Sequence, residues 1–296
     1  MDNYYTLETF YRRSNGLSQL GPPLTLDERR VIDSHWGDVT AEPGGVDYLE
    51  RELGGVPVLR AEPTKAVRDR VLLCLHGGGY VGGSVYTHRK MFAHLAKAVG
   101  ARAVLPSYSH TPERQYPTQL DEVTAVYRAI LDGGVDPKHV AVTGDSAGGG
   151  MSVSLMLRAK AEGLPLAAAL VPISPWTDMT HSGASVVTNR PTDLLFGADH
   201  PMDIDGLVTM LLPAGVSPSD PLVSPLFADL TACPRCTCRW VAARCCSMTR
   251  CAWRRRRAST VSRSSWTSYR TSSTRSRCPP GTRRRRMPRS RAWPPG

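Results

Sequence analysis

Between Val71 and Ile173 the chain alternates short, largely apolar runs with amphipathic stretches of helical period. The apolar runs are Val71–Leu75, Ala103–Tyr108, Val140–Thr143 and Leu166–Ile173. The stretches between them are Thr87–Val99, Pro117–Leu131 and Ala147–Ala161. An apolar run without polar alternation is a strand covered on both faces, and helices between such strands make parallel crossovers. The pattern therefore predicts an α/β domain built on a mostly parallel sheet. Val46–Glu52 and Val56–Leu59, joined by Gly54-Gly55, predict a hairpin before it. Residues 1–40 read as helical lead-in, with Tyr4, Leu7, Phe10 and Tyr11 at helical spacing and a second short helix opening at Leu24–Glu28. Residues 177–219 break the alternation and predict an insertion over the sheet edge. The organisation expected is lead-in 1–40, core 41–232 with that insertion, and a different segment at 233–296.

Two motifs follow strands. Gly144-Asp145-Ser146-Ala147-Gly148 stands between a strand and a helix, the setting in which G-x-S-x-G presents a nucleophile. A sharp turn holds Ser146 in a strained conformation, and small residues at Gly144 and Gly148 let it close. The helix N-terminus favours negative charge developing there. The second motif, His76-Gly77-Gly78-Gly79-Tyr80, follows Val71–Leu75. Consecutive glycines bring backbone N–H groups close to a ligand, as an oxyanion hole requires. Gly77, Gly78 and the N–H of Ala147 are the expected donors. His76, ahead of the glycines, reads as a structural support, with Gly79 and Asp145 beside it.

With its HGGGY about 70 residues before GDSAGG, the chain resembles the hormone-sensitive-lipase-like carboxylesterases of the α/β-hydrolase fold. Ser174-Pro175-Trp176-Thr177-Asp178 and Asp220-Pro221-Leu222-Val223-Ser224-Pro225-Leu226 fit the same pattern. The resemblance covers residues 1–232. It implies a helical cap formed from the N-terminus and the 177–219 insertion, with an apolar acyl pocket near Tyr80 and the 195–212 segment. It also implies a two-stage reaction, in which Ser146 attacks an ester or lactone of short to medium acyl length and water clears the acyl-enzyme. No cofactor and no metal are implied.

The same mechanism needs an acid and a histidine after the serine in chain order. The eight histidines are 35, 76, 88, 94, 110, 139, 181 and 200, and no acidic residue follows Asp229. Only His181 and His200, in the expected cap, stand after Ser146 as substitutes. The chain as written is therefore expected to be severely impaired. A catalytically inactive binding protein of hydrolase fold is the competing reading.

Composition changes abruptly at Cys233. Residues 233–296 hold 18 of the 37 basic residues, no acidic residue and seven of the eight cysteines. The other 232 residues keep 19 basic against 26 acidic groups, a net charge of −7. The overall +11 therefore belongs to the tail. Taken at face value, such a tail suggests a nucleic-acid binder or disorder. Cys233, Cys236, Cys238, Cys245, Cys246 and Cys251 also suggest zinc, but no second C-x-x-C follows Cys233-x-x-Cys236. Neither explains the abruptness. A shifted reading frame does, and the genetic code constrains it. With each codon read one base earlier, the code forces glycine at the position of Val241 and leucine at that of Cys246. It forces aspartate at those of Thr249 and Thr267. Positions 233–250 then permit L-P-P-L-Y-L-Q-V-G-x-x-E-V-L-L-D-D-A. That is a buried strand followed by the acid-bearing loop that the resemblance implies. A histidine is permitted at the position of Thr274. A one-base deletion near codons 230–232 accounts for all of this.

A body with Cys74 as its single cysteine suits a reducing cytoplasm. The N-terminus shows no secretory h-region, and no apolar run is long enough to span a membrane. The expected partner is a small ester or lactone, with no specific nucleic acid. The sequence leaves the oligomeric state open.

Overall fold

The computed structural model describes residues 24–193, 195–196, 204–231 and 235–236, with isolated positions 9, 12, 13 and 16. Seven strands form one sheet: β1 Val46–Leu53, β2 Val56–Pro63, β3 Val71–Leu75, β4 Arg102–Pro106, β5 Val140–Asp145, β6 Ala169–Ile173 and β7 Arg235–Cys236. Their order is β1-β2-β4-β3-β5-β6-β7. The first two strands form an antiparallel hairpin, and β2 meets β4 antiparallel. From β4 to β7 every pairing is parallel. The expected α/β sheet is present, with the hairpin at one edge.

Strand β3 is central and fully buried. Its side chains alternate between two cores, as the period of a strand dictates. Val71, Leu73 and Leu75 join the larger core with Tyr127, Met151 and Leu155. Leu72 and Cys74 join the smaller one with Phe92, Ala93 and Ala96. Helix α2 (Val85–Val99) covers the smaller core, while α3 (Thr118–Asp132) and α4 (Ser146–Ala161) cover the larger. A Ser84/Thr87 capping box starts α2, and Gly100 ends it at φ 66°. At that positive φ glycine avoids the Cβ strain other residues meet.

Helix α1 (Leu26–Asp33) follows a Thr25/Glu28 capping box, with a 3₁₀ turn at Ser34–Val39 behind it. The helical period read in residues 4–11 lies outside the described residues, apart from Thr9. In the insertion, the short helix α5 (Ala184–Thr188) is followed by α6 (Ile204–Leu211). Leu207, Val208 and Leu211 of α6 are buried against the larger core. The Tyr116 N–H donates to the Leu211 carbonyl at 2.9 Å.

Several strand ends differ from the pattern, β4 stopping at Pro106 and β5 running on to Asp145. β2 continues to Pro63 because its register with β1 runs the full length of the hairpin. β6 begins at Ala169, where pairing with β5 starts, so Leu166 is a half-buried approach to the strand and not part of it. Residues 233–296 show no period in sequence, yet Arg235–Cys236 pair with Ala169 and Leu170. The rest of that segment, with the candidate zinc ligands' side chains, lies outside the described residues.

Candidate active site

Ser146 stands where β5 meets α4, at φ 51°. A non-glycine residue rarely adopts that conformation without a tight turn to hold it. The turn is tight because the neighbours lack bulk. A Cβ on Gly148 would collide with the Leu75 and His76 carbonyl oxygens, and one on Gly144 with the Gly148 carbonyl. The Ser146 carbonyl accepts the Trp176 N–H at 2.8 Å, which ties the turn to the Ser174–Asp178 segment. Among the described residues, nothing hydrogen-bonds the Ser146 hydroxyl.

The glycine loop lies against this turn. Gly77 N–H donates to Asp145 Oδ1 at 3.0 Å, and Gly78 and Gly79 take φ 124° and 62°. The Gly78 carbonyl accepts from Val81 and Gly82, which curls the loop on itself. One of the three expected donors is thus already engaged. Gly77 spends its N–H on Asp145, so it has no proton to offer a developing oxyanion. Gly78 and Gly79 N–H donate to no other described residue. Together with Ala147, in the first turn of α4, they form the available trio. The sequence motif could not reveal this, because the choice depends on where the Asp145 carboxylate points.

His76 is buried, and its Nδ1 donates to the Gly77 carbonyl at 2.8 Å. Its ring stacks on Tyr108 at 4.1 Å, and the Tyr108 hydroxyl donates to the His76 carbonyl at 2.6 Å. Burial above all, then His88, pushes its pKa down to about 3. A ring so placed supports the loop and cannot serve as a base near neutrality.

Tyr80 is buried at φ 65°, with its hydroxyl donating to the Ala147 carbonyl at 3.3 Å. It lines a cavity of about 10 Å³ with Met151, Met179, Leu211 and Val223. That volume admits about one water molecule. Tyr80 and Leu211 thus share the wall of that cavity. Leu207 of α6 approaches Gly79 directly.

Among the described residues, no histidine is hydrogen-bonded to Ser146. His181 Nδ1 bonds Asp205 Oδ1 at 2.7 Å and its ring stacks on Trp176 at 5.8 Å. Its Nε2 is buried without a hydrogen bond, so none joins it to Ser146. His200 lies outside the described residues. No cluster of three or more His, Cys, Asp or Glu able to hold a metal occurs among the described residues.

Helix α1 contributes what sequence reading missed. Arg30 Nε donates to the Val81 carbonyl at 2.6 Å, and Nη2 to the Thr111 carbonyl at 3.1 Å. Glu113 meets the same guanidinium at 2.6 and 2.8 Å. Arg30 thus fastens the lead-in to the end of the glycine loop. The capping box at Thr25 marks the helix in sequence, but nothing there marks this contact.

One turn on, burial pushes the Asp33 carboxyl up to about 6, against the pull of Arg29. A folded pKa above the unfolded value of 3.8 means that the folded chain holds the extra proton between these limits. Stability is expected to fall as pH rises from about 4 through 6. Thermal midpoints across that range should show the step, and Asp33→Asn should remove it. A step of equal size in the variant excludes Asp33 as its source.

The α/β-hydrolase fold family matches residues 72–254. An acetyl-hydrolase of Streptomyces hygroscopicus is 38% identical over 222 residues, covering 70% of this chain and 73% of its own. An esterase of Acinetobacter venetianus is 32% identical over 178 residues, 60% of this chain and 58% of its own. A solved esterase of the bacterial hormone-sensitive lipase family superposes with TM-score 0.77 at 31% identity, over 86% of both chains.

Proposed function

The chain belongs to the α/β-hydrolase fold family, among the hormone-sensitive-lipase-like esterases, and from that premise we propose that it is built to cleave carboxylic esters through Ser146. The observation that carries this reading is the Ser146 turn, held at φ 51° against a glycine loop with two N–H groups to spare. An ester carbonyl attacked by Ser146 Oγ develops charge on its oxygen. Gly78, Gly79 and Ala147 N–H groups stand ready to receive it. The serine proton must leave as the bond forms, and a carboxylate-held histidine ordinarily takes it. The ester's alcohol leaves with that proton as its C–O bond breaks, and water then takes the acyl group from Ser146 as the free acid. The acetyl-hydrolase and esterase names of the relatives support small acyl esters, in keeping with short to medium esters or lactones. A cytoplasmic setting belongs to the same reading.

The chain as encoded has no acid after Asp229 and no histidine after His200, where the resemblance puts them, and we assign that loss to a frame shift near codon 232. Turnover of p-nitrophenyl acetate is therefore expected to equal that of a Ser146→Ala control. A clear excess over the control sinks the claim of impairment and turns attention to His181 and His200. Among the described residues, no helix is long and apolar enough to cross a membrane.

A further inference from the structure

We propose that His88 is a positioning residue: a buried imidazolium that clamps the nucleophile turn to the glycine loop through Asp145. His88 sits on α2 and is 6% exposed. Nothing in either motif points to it.

Its protonation follows from its partners. The Thr87 hydroxyl has one proton, which it donates to the Ser84 carbonyl at 2.8 Å. The same oxygen accepts the Ser84 N–H at 2.8 Å, as its capping box requires. What faces His88 Nδ1 at 2.7 Å is therefore a lone pair, so Nδ1 carries a proton. Nε2 lies 3.3 and 3.4 Å from the two Asp145 oxygens. A bare Nε2 would aim its lone pair at a carboxylate. A protonated Nε2 donates to it. Both nitrogens are then donors, and the ring is charged.

The surroundings select the same state. Asp145 from the nucleophile turn is the charged group facing His88. His76, at 5.6 Å between ring centres, is held neutral by burial. Trp36 and Phe92 face it with uncharged rings at 6.1 and 6.0 Å. His110 packs against His76, not His88. Burial pulls the His88 pKa down, but the Asp145 charge and hydrogen bonds more than restore it, leaving it above the ordinary histidine value.

Gly77 explains why the charge matters. Its N–H points at Asp145 Oδ1 at 3.0 Å and at His88 Nε2 at 3.4 Å. While Nε2 holds a proton it cannot accept, so Gly77 has a single acceptor. The loop then has one register against the turn. Loss of that proton removes the counter-charge from Asp145 and gives Gly77 a second acceptor. Alignment of Gly78 and Gly79 with Ser146 should loosen as pH rises through the His88 pKa. This deepens the reading of Ser146 and its loop, although the charge on His88 does not depend on that reading.

The test is nitrogen NMR of the full chain, with the His88 ring assigned through His88→Gln. Both ring nitrogens should be protonated at neutral pH, with a titration above the ordinary histidine range. Asp145→Asn should lower that titration by about 1–3 units, the usual effect of a neighbouring opposite charge. Gly77 amide exchange should quicken about tenfold beyond its ordinary pH dependence as His88 titrates, the fold-change expected from losing one charge-assisted hydrogen bond. A neutral His88 at neutral pH overturns the proposal. So does a titration unchanged in Asp145→Asn, or a Gly77 amide indifferent to it. If the His88 variant does not fold, the unaltered chain's ring and Gly77 signals still decide. Failure of Ser146 as nucleophile would appear in ester turnover and leave these signals unchanged.

Discussion

Inserting one base near codons 230–232, to restore the frame proposed above, is expected to raise p-nitrophenyl acetate turnover by roughly 10⁴-fold over the present chain, the scale of losing a triad member. The turn and the loop are already in place, so the insertion supplies only what is missing. It should add an acid in the stretch that decodes to E-V-L-L-D-D and a histidine at the position of Thr274. Ser146→Ala in the restored chain should return turnover to the level of the present one. The fold gives the insertion a second consequence. Arg235–Cys236 already pair parallel with β6, at positions that decode within L-P-P-L-Y-L-Q-V-G. In the restored frame, apolar residues at 236, 238 and 240 would extend β7 and cover the β6 edge. An edge left short invites association between chains. The restored chain should therefore self-associate less than the present one on size-exclusion chromatography. A restored chain as inert as the present one, together with a mass spectrum matching the Arg-rich tail, would make that tail a genuine terminus.

The sheet was legible because buried parallel strands leave continuous apolar runs, and β3 to β6 each do. The hairpin was legible from Gly54-Gly55, which take φ 61° and 78°. The tight turn at Ser146 was legible for a steric reason: a Cβ at Gly144 or Gly148 would meet backbone oxygens. The donor set was not. HGGG offers three equivalent N–H groups in sequence, and only the Asp145 side chain distinguishes Gly77 from Gly78 and Gly79. The Arg30 clamp and His88 escaped for a related reason. Their partners lie 51 and 57 positions away, and polar long-range contacts leave no period to detect.

Gly148→Ala should cost about 3 kcal/mol or more, at the upper end of what overpacking a core does. The added methyl would collide with the Leu75 and His76 carbonyl oxygens. Neither can yield cheaply. Leu75 ends the central strand, paired with Gly144 of β5, and His76 opens the glycine loop. A side chain could rotate aside, but strand backbone can move only by breaking its ladder. The cheaper response is for α4 to lift away from β3, which carries Ser146 with it. Such a loss is a large share of the 5–15 kcal/mol that holds a domain together. The thermal midpoint should drop by about 10 °C. Gly44→Ala is the matched control. Nothing lies within 4 Å of its added methyl and its φ is not positive, so its midpoint should stay level or rise slightly. Equal midpoints for the two variants would show that the turn tolerates a Cβ there. In the frame-restored chain, the same substitution should also lower turnover in whatever fraction folds. Displacing α4 by a fraction of an ångström shifts Ser146 relative to Gly78 and Gly79, and the oxyanion site works only at hydrogen-bond distance.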